Sequence, residues 1–219
     1  MTPAIEYVLR SIEKQERSWS YQLSEKEEAL HSFGRIPEDG RTIGFWSVPR
    51  QTGELLAFFA KAVNAKMILE LGCSAGYSTL FLAEAALQND GHVYTTEILK
   101  QKIGIARANF QEAGVADRIT LIEGEIRETL RGWNTNVVPD LVFLDADKER
   151  YGEYFEALMR IMKPGGLIIA DNASCALLQD GTRVRCEIMR PFLETVRNDS
   201  RVSVFLLEID NGLLFMKRR

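Results

Sequence analysis

The 219-residue chain carries 27 Lys and Arg against 31 Asp and Glu, a formal net charge of −4, and 46% of its residues are hydrophobic. That length supports one substantial core, and the mildly acidic balance gives no overall footprint for nucleic acid. Three cysteines (Cys73, Cys175, Cys186) in odd number predict reduced thiols in a cytoplasmic protein, and charges interrupting "MTPAIEYVLRSIEKQ", with no later run of ~18 apolar residues, predict neither a signal peptide nor a membrane span.

From the N-terminus, Ile5, Val8, Leu9 and Ile12 stand at helical spacing, with Thr2 and Pro3 suited to the N-cap and first helical position, so a helix is predicted over 3–18. "SEKE" at Ser24–Glu27 has capping-box spacing and predicts a second short helix ending before Gly34. "GRIPEDGRTIGFWSVP", residues 34–49, holds three glycines and two prolines and is expected to be a loop that acts as a lid. The pattern then changes. Predicted helices at 50–63, 76–87, 98–113 and 150–162 alternate with apolar runs "MILEL" (67–71), "HVYTT" (92–96), "ITLI" (119–122), "DLVFLD" (140–145) and "GLIIA" (166–170). Such alternation predicts an α/β fold with a doubly wound, mainly parallel sheet covered on both faces. "VSVFLLEIDNGLLFMK" reads as two strands joined around Asn211 and Gly212, a short-turn signal that requires antiparallel pairing.

Open α/β sheets hold ligands beyond the carboxyl ends of their strands. Those positions here are Gly72–Gly76, Glu97, Glu123–Ile126, Asp145–Lys148, and Asp171 with Asn172. A single strand-end acid is ordinarily a cap or turn residue. Several converging on one edge repel unless a cation, a ligand hydroxyl or a proton compensates. "LELGCSAGYST" places a glycine loop between a strand and a helix, a setting that receives a ligand's polar end. It lacks the dinucleotide spacing G-x-G-x-x-G, since Ser74 stands two residues past Gly72. It does fit G-x-S-x-G, the nucleophile elbow of serine hydrolases. Of the two histidines, His31 precedes Ser74 and His92 begins a strand at the wrong sheet edge, so that chemistry lacks its base. Glu97, one residue past the second strand, suits two ribose hydroxyls of a nucleoside lying over the loop.

Together "LELGCSAGYST", "TTEI", "VFLDADKERY" and "PGGLIIADN" resemble the cation-dependent class I O-methyltransferases, the group that includes catechol and caffeoyl-CoA O-methyltransferases, from about Val48 to the C-terminus. The resemblance implies a seven-stranded Rossmann-like methyltransferase sheet with a C-terminal antiparallel hairpin. It also implies S-adenosylmethionine as methyl donor, a bound Mg²⁺ (or Mn²⁺ or Ca²⁺), and a small hydroxylated aromatic acceptor. By matching position it assigns Asp145, Asp171 and Asn172 to the metal, with Lys148 as general base beside Asp145. It assigns Val48, Glu70, Gly72, Ser78, Glu97 and Ile126 to the donor, together with the neighbouring positions Cys73, Ile98 and Asp145. Cys73 is read as a packing residue without chemistry. The ligand chemistry agrees: two carboxylates and an amide oxygen are hard donors that leave about three of roughly six positions open, two of which adjacent hydroxyls can take. Lys148 is expected to accept the proton if burial or the cation depresses its pKa.

One domain is expected, with an N-terminal helical extension and lid over 1–42 and a donor-binding catalytic core over 43–219. The apolar face of the first helix requires burial against this core or a second copy, and related enzymes point to a homodimer. Ser174, Cys175 and Ala176 stand where plant-type relatives carry Leu-Trp, which leaves the acceptor open. Phe45 and Trp46 are candidates to stack on it. Methylation of a hydroxylated uridine in transfer RNA and a non-catalytic donor-binding module are the alternatives.

Overall fold

The computed structural model describes residues 1–20, 44–174 and 184–219. The expected helix at Ser24–Glu27, most of the lid, His31, Cys175, Ala176 and the side chain of Cys186 lie outside the described residues. The helices are α1 (Pro3–Ser20), α2 (Arg50–Ala62), α3 (Tyr77–Asn89), α4 (Lys100–Glu112), α5 (Ile126–Arg131), α6 (Tyr151–Ile161) and α7 (Val184–Arg197). The strands are β1 (Met67–Leu71), β2 (His92–Glu97), β3 (Ile119–Glu123), β4 (Leu141–Leu144), β5 (Leu167–Ala170), β6 (Val202–Leu207) and β7 (Leu213–Arg218).

One sheet runs in the order β3-β2-β1-β4-β5-β7-β6. Strands β1 to β5 pair in parallel, and β7 pairs antiparallel with both β5 and β6. Parallel strands are buried on both faces, and the period-two pleat divides their side chains between two layers. Ile68, Phe143 and Ile169 join the layer under α1 to α4. Leu69, Leu71, Val142, Leu144 and Ile168 join the layer under α6 and α7. Each such side chain taken fully out of water contributes about 1.5–3 kcal/mol before entropy is counted. The predicted α/β class and the C-terminal hairpin are therefore present.

Helix α1 starts as its sequence suggests, with Thr2 Oγ1 accepting from Ile5 N at 3.3 Å. Ile5, Val8, Leu9 and Ile12 are buried with Phe45, Leu56 and Phe81, so this face is covered by the chain's own core and needs no second copy. Arg50 fixes the other side of the helix by donating to both Glu6 oxygens, at 2.5 and 2.6 Å.

Two helices were not legible in the strand-helix rhythm. Helix α5 is only six residues long, shortly after β3. Helix α7 carries Pro191 in its interior, a residue that ordinarily breaks a helix. Met189, Phe192, Leu193 and Val196 nevertheless bury one continuous face, and this packing outweighs the lost backbone bond. The hairpin connection also differs from a two-residue turn, because strand pairing stops at Leu207 and resumes at Leu213. The loop is docked at both sides: Asp210 Oδ2 accepts from Thr52 Oγ1 of α2 at 3.0 Å, and Gly212, at φ +83°, lies against Ser174.

Candidate active site

Strand register levels the site. Leu71 pairs with Thr96 on one side and Leu144 on the other, and Leu144 pairs with Ala170. Gly72, Asp145 and Asp171 therefore leave the sheet at the height of Glu97, the last residue of β2, around β1 and β4, where the strand order reverses. Asp145 N donates to Leu71 O and Asp171 N to Leu144 O, each at 3.0 Å. The buried Tyr151 hydroxyl adds a tie, donating to Leu144 O at 3.0 Å with Asp171 O at 3.4 Å. The sequence pattern gives this tyrosine no role; an aromatic hydroxyl shortly after a strand-end acid, at the opening of a helix, was the available signal.

The glycine loop packs directly on this edge. Gly72 has φ +105°, and a Cβ there would lie 2.0 Å from the Asp145 carbonyl oxygen, so only glycine fits. Ser74, also at positive φ, donates its hydroxyl to Phe45 O and its N–H to Glu97 Oε2 at 2.7 Å. Segment 44–49 is thereby seated over the loop, and Ser47 N donates to Glu16 Oε1 of α1 at 2.8 Å. Ser74 is a structural hydroxyl, and His92 hydrogen-bonds Thr120 Oγ1 at 2.8 Å from the opening of β2, far from a nucleophile's base.

Glu70 is fully buried under the loop, with Ser78 (2.6 Å), Thr95 (2.5 Å) and Thr79 donating to its carboxylate. Its oxygens face no open surface, so its contribution to a donor site passes through Ser78 and the strand end. Burial pushes its pKa up to about 7, against the pull of the three hydroxyls. A folded value above the unfolded one makes the contribution fully present below about pH 4.5 and lost as pH rises through about 7, a difference of roughly 3 kcal/mol. Glu70→Gln is expected to flatten this part of the pH dependence of urea-unfolding stability between about pH 5 and 8. An unchanged slope in the variant would show that Glu70 is ionised throughout.

The other strand-end acids do not all converge. Glu123 is paired outward with Arg107 at 2.6 Å, and Glu125 with Arg150 at 3.2 Å. Glu97 Oε1 accepts from Ile98 N and Leu99 N, both at 2.9 Å. With Ser74 N on Oε2, one acceptor position remains on that oxygen, where two ribose hydroxyls were expected to fit. Val48 and Cys73 are buried, Ser78 nearly so; Ile126 is half-buried at the start of α5 and Ile98 is exposed. Burial drives the Cys73 thiol well above its usual pKa, in keeping with a packing role.

What does converge is Asp145, Lys148 and Asp171, with Asn172 next in the chain. Lys148 Nζ lies 2.6 Å from Asp145 Oδ1. Burial favours its neutral form, but Asp145, Tyr151 and Asp171 outweigh burial and hold its pKa above the ordinary lysine value. The depressed value expected for a general base is thus reversed here, because the amine sits directly on a carboxylate. Asn172 follows Asp171 in a left-handed conformation, φ +59°, which Asn tolerates better than most residues. No group of three or more His, Cys, Asp and Glu side chains suited to a metal occurs among the described residues. Among the described residues no helix is long and apolar enough to cross a membrane.

This edge can accept a hydroxylated ligand beside the two aspartates, while in the glycine loop the N–H groups of Gly72, Cys73, Ser74 and Gly76 are already bonded to Thr96, Glu97 and Cys73. The family model described as O-methyltransferase matches residues 24–219. A catechol O-methyltransferase of Mycobacterium tuberculosis is 38% identical over 126 residues, covering 58% of this chain and 56% of that protein. The chain thus spans little more than half the length of that relative. A caffeoyl-CoA O-methyltransferase of Populus kitakamiensis is 32% identical over 184 residues, covering 78% of each chain. The solved O-methyltransferase from Bacillus cereus in complex with SAH superposes with a TM-score of 0.72 at 25% identity, over 100% of this chain and 92% of that one. The match over residues 24–219, on a fold whose glycine loop meets the paired strand-end aspartates, establishes that the chain belongs to the O-methyltransferase family.

Proposed function

We propose that the protein transfers a methyl group from S-adenosylmethionine to a hydroxyl of a small phenolic or catechol-like acceptor, with a divalent cation held by Asp145, Asp171 and Asn172. The observation that carries this reading is the contact of the Gly72 backbone with Asp145, which sets a donor loop and an acid pair on one sheet edge. The residues fit a hard cation: two carboxylates and an amide leave adjacent strand ends, and the Lys148 ammonium already lies on Asp145, where positive charge is favoured. Bound donor supplies an electrophilic methyl on a sulfonium, and a bound dication lowers the acceptor hydroxyl's pKa.

The chain's own residues hold and orient. The Gly72–Gly76 loop carries the donor, with Ser78 held on Glu70 beneath it, while Glu97 keeps one oxygen position for a hydroxyl. Lys148 stands at the proton side. The carboxylate that keeps it charged is the one assigned to the cation, so Lys148 holds or takes a proton according to which partner Asp145 has. Seating a nucleophilic oxygen beside the methyl converts a bimolecular encounter into a positioned one.

Methyl transfer to catechol, followed by mass spectrometry, is expected to yield a monomethyl ether and to drop on the order of a hundredfold with a chelator. SAH binding without product on any catechol, flavonoid or hydroxyuridine RNA would sink the enzyme reading and favour a non-catalytic donor-binding module.

A further inference from the structure

Strand β6 forms one end of the sheet. Arg219 N donates to Arg201 O at 2.9 Å, so in this antiparallel pair residues 201, 203, 205 and 207 turn their backbone groups toward β7. Val204 and Leu206 alternate with them and point theirs outward, where among the described residues no hydrogen bond engages them. Edge strands are ordinarily guarded by a lysine, a proline, a bulge or a covering element. The six residues of β6, "VSVFLL", carry neither charge nor proline, and their register with β7 is unbroken.

The flank of this edge is apolar as well. Phe205 is 64% exposed, and Phe58 of α2 is 63% exposed. Phe215 and Phe59 join them in one row, with ring centres 6.4 Å apart from Phe205 to Phe215, 4.8 Å from Phe215 to Phe59 and 5.6 Å from Phe59 to Phe58. An exposed aromatic row beside an open strand edge marks a surface for another chain. Beside the same strand a cleft of about 530 Å³, walled by Val204 and Leu206, separates β6 from the end of α7 and leaves room for the side chains of an added strand.

Charge identifies the occupant. Arg197 and Arg219 line that cleft near the start of β6, and Glu208 directly follows its end. All three are exposed, and among the described residues none of them is in an ion pair. A strand that runs antiparallel to β6 and carries an acid after its own last residue sets that acid at the two arginines. A second β6 is such a strand. We propose that β6 pairs antiparallel with β6 of a second copy of the chain, joining the two sheets into one across a two-fold axis. The contact is isologous, so each element serves twice: Val204 and Leu206 exchange backbone bonds with the same strand of the other copy, the two Phe205 rings approach on one face, and each Glu208 lies at the other copy's arginines. A foreign peptide on this edge leaves Glu208 and the row of rings unused. The proposal does not depend on the methyltransferase reading.

Sedimentation equilibrium of the full chain is expected to show a dimer. Val204→Pro deletes an outward N–H, and Phe205→Lys puts a charge on the seam; each raises the dissociation constant by about a hundredfold or more. Circular dichroism matching wild type excludes unfolding as the cause. Should those variants not fold, exposed charges carry the test: Glu208→Arg alone, or Arg197→Glu with Arg219→Glu, weakens the dimer by about tenfold, and all three together recover it. A wild-type chain that is monomeric at about 100 μM, a dimer indifferent to every one of these variants, or a triple variant that recovers nothing overturns the proposal. None of these outcomes bears on methyl transfer, which is assayed separately.

Discussion

Asp171→Ala is expected to lower methyl transfer on the order of 10²–10³-fold and to leave the residual rate indifferent to chelator. The backbone of residue 171 is held independently of its side chain, by its N–H on Leu144 O at 3.0 Å and by Tyr151 near its carbonyl. The substitution therefore removes a 7%-exposed carboxylate and leaves those backbone ties in place. Asp145 then keeps Lys148 as its partner at 2.6 Å, one acid neutralised by one ammonium, with no second carboxylate to favour a dication. A thermal melt near that of wild type, alongside the activity loss, separates chemistry from unfolding. Full turnover that a chelator still abolishes would remove Asp171 from the cation's ligands.

Gly72→Ala is expected to destabilise the protein by about 3 kcal/mol or more and to abolish SAH binding. Two costs coincide. The backbone stands at φ +105°, and the added methyl would come 2.0 Å from the Asp145 carbonyl oxygen. Relief requires the ends of β1 and β4 to separate, which pulls the donor loop from the aspartate beside it. Gly104→Ala is the control: it lies within α4 with no atom within 4 Å of the added Cβ, and is expected to stabilise by up to about 1 kcal/mol. Equal unfolding midpoints for Gly72→Ala and wild type would show that the two strand ends are not in rigid contact.

The alternation of apolar runs and amphipathic stretches made β1 to β5 legible, because buried parallel strands are nearly continuous in Val, Ile and Leu. The strand-end position of Asp145 and Asp171 followed from the same pattern. What remained hidden depends on three-dimensional partners. Glu123 and Glu125 look in sequence like Asp145, and only the placement of Arg107 and Arg150 turns them away as surface pairs. Glu70 sits inside an ordinary strand pattern, and its shift arises from burial beneath α3. Lys148 was expected to take the proton if burial or a cation depressed its pKa; without a cation, its contact with Asp145 outweighs burial and raises it. Pro191 concealed α7 because local propensity argues against a helix that tertiary packing nevertheless holds.

The docked hairpin loop makes one joint from segments distant in sequence. Thr52 grips Asp210 across 158 positions, and Gly212 abuts Ser174, two residues beyond Asn172. The acid pair is consequently braced from behind by the tail of the chain, much as a keystone is braced by its neighbours. Any change to Ala173 or Ser174 therefore inherits that brace, because their N–H groups are held by Gly212 O and Asn211 O.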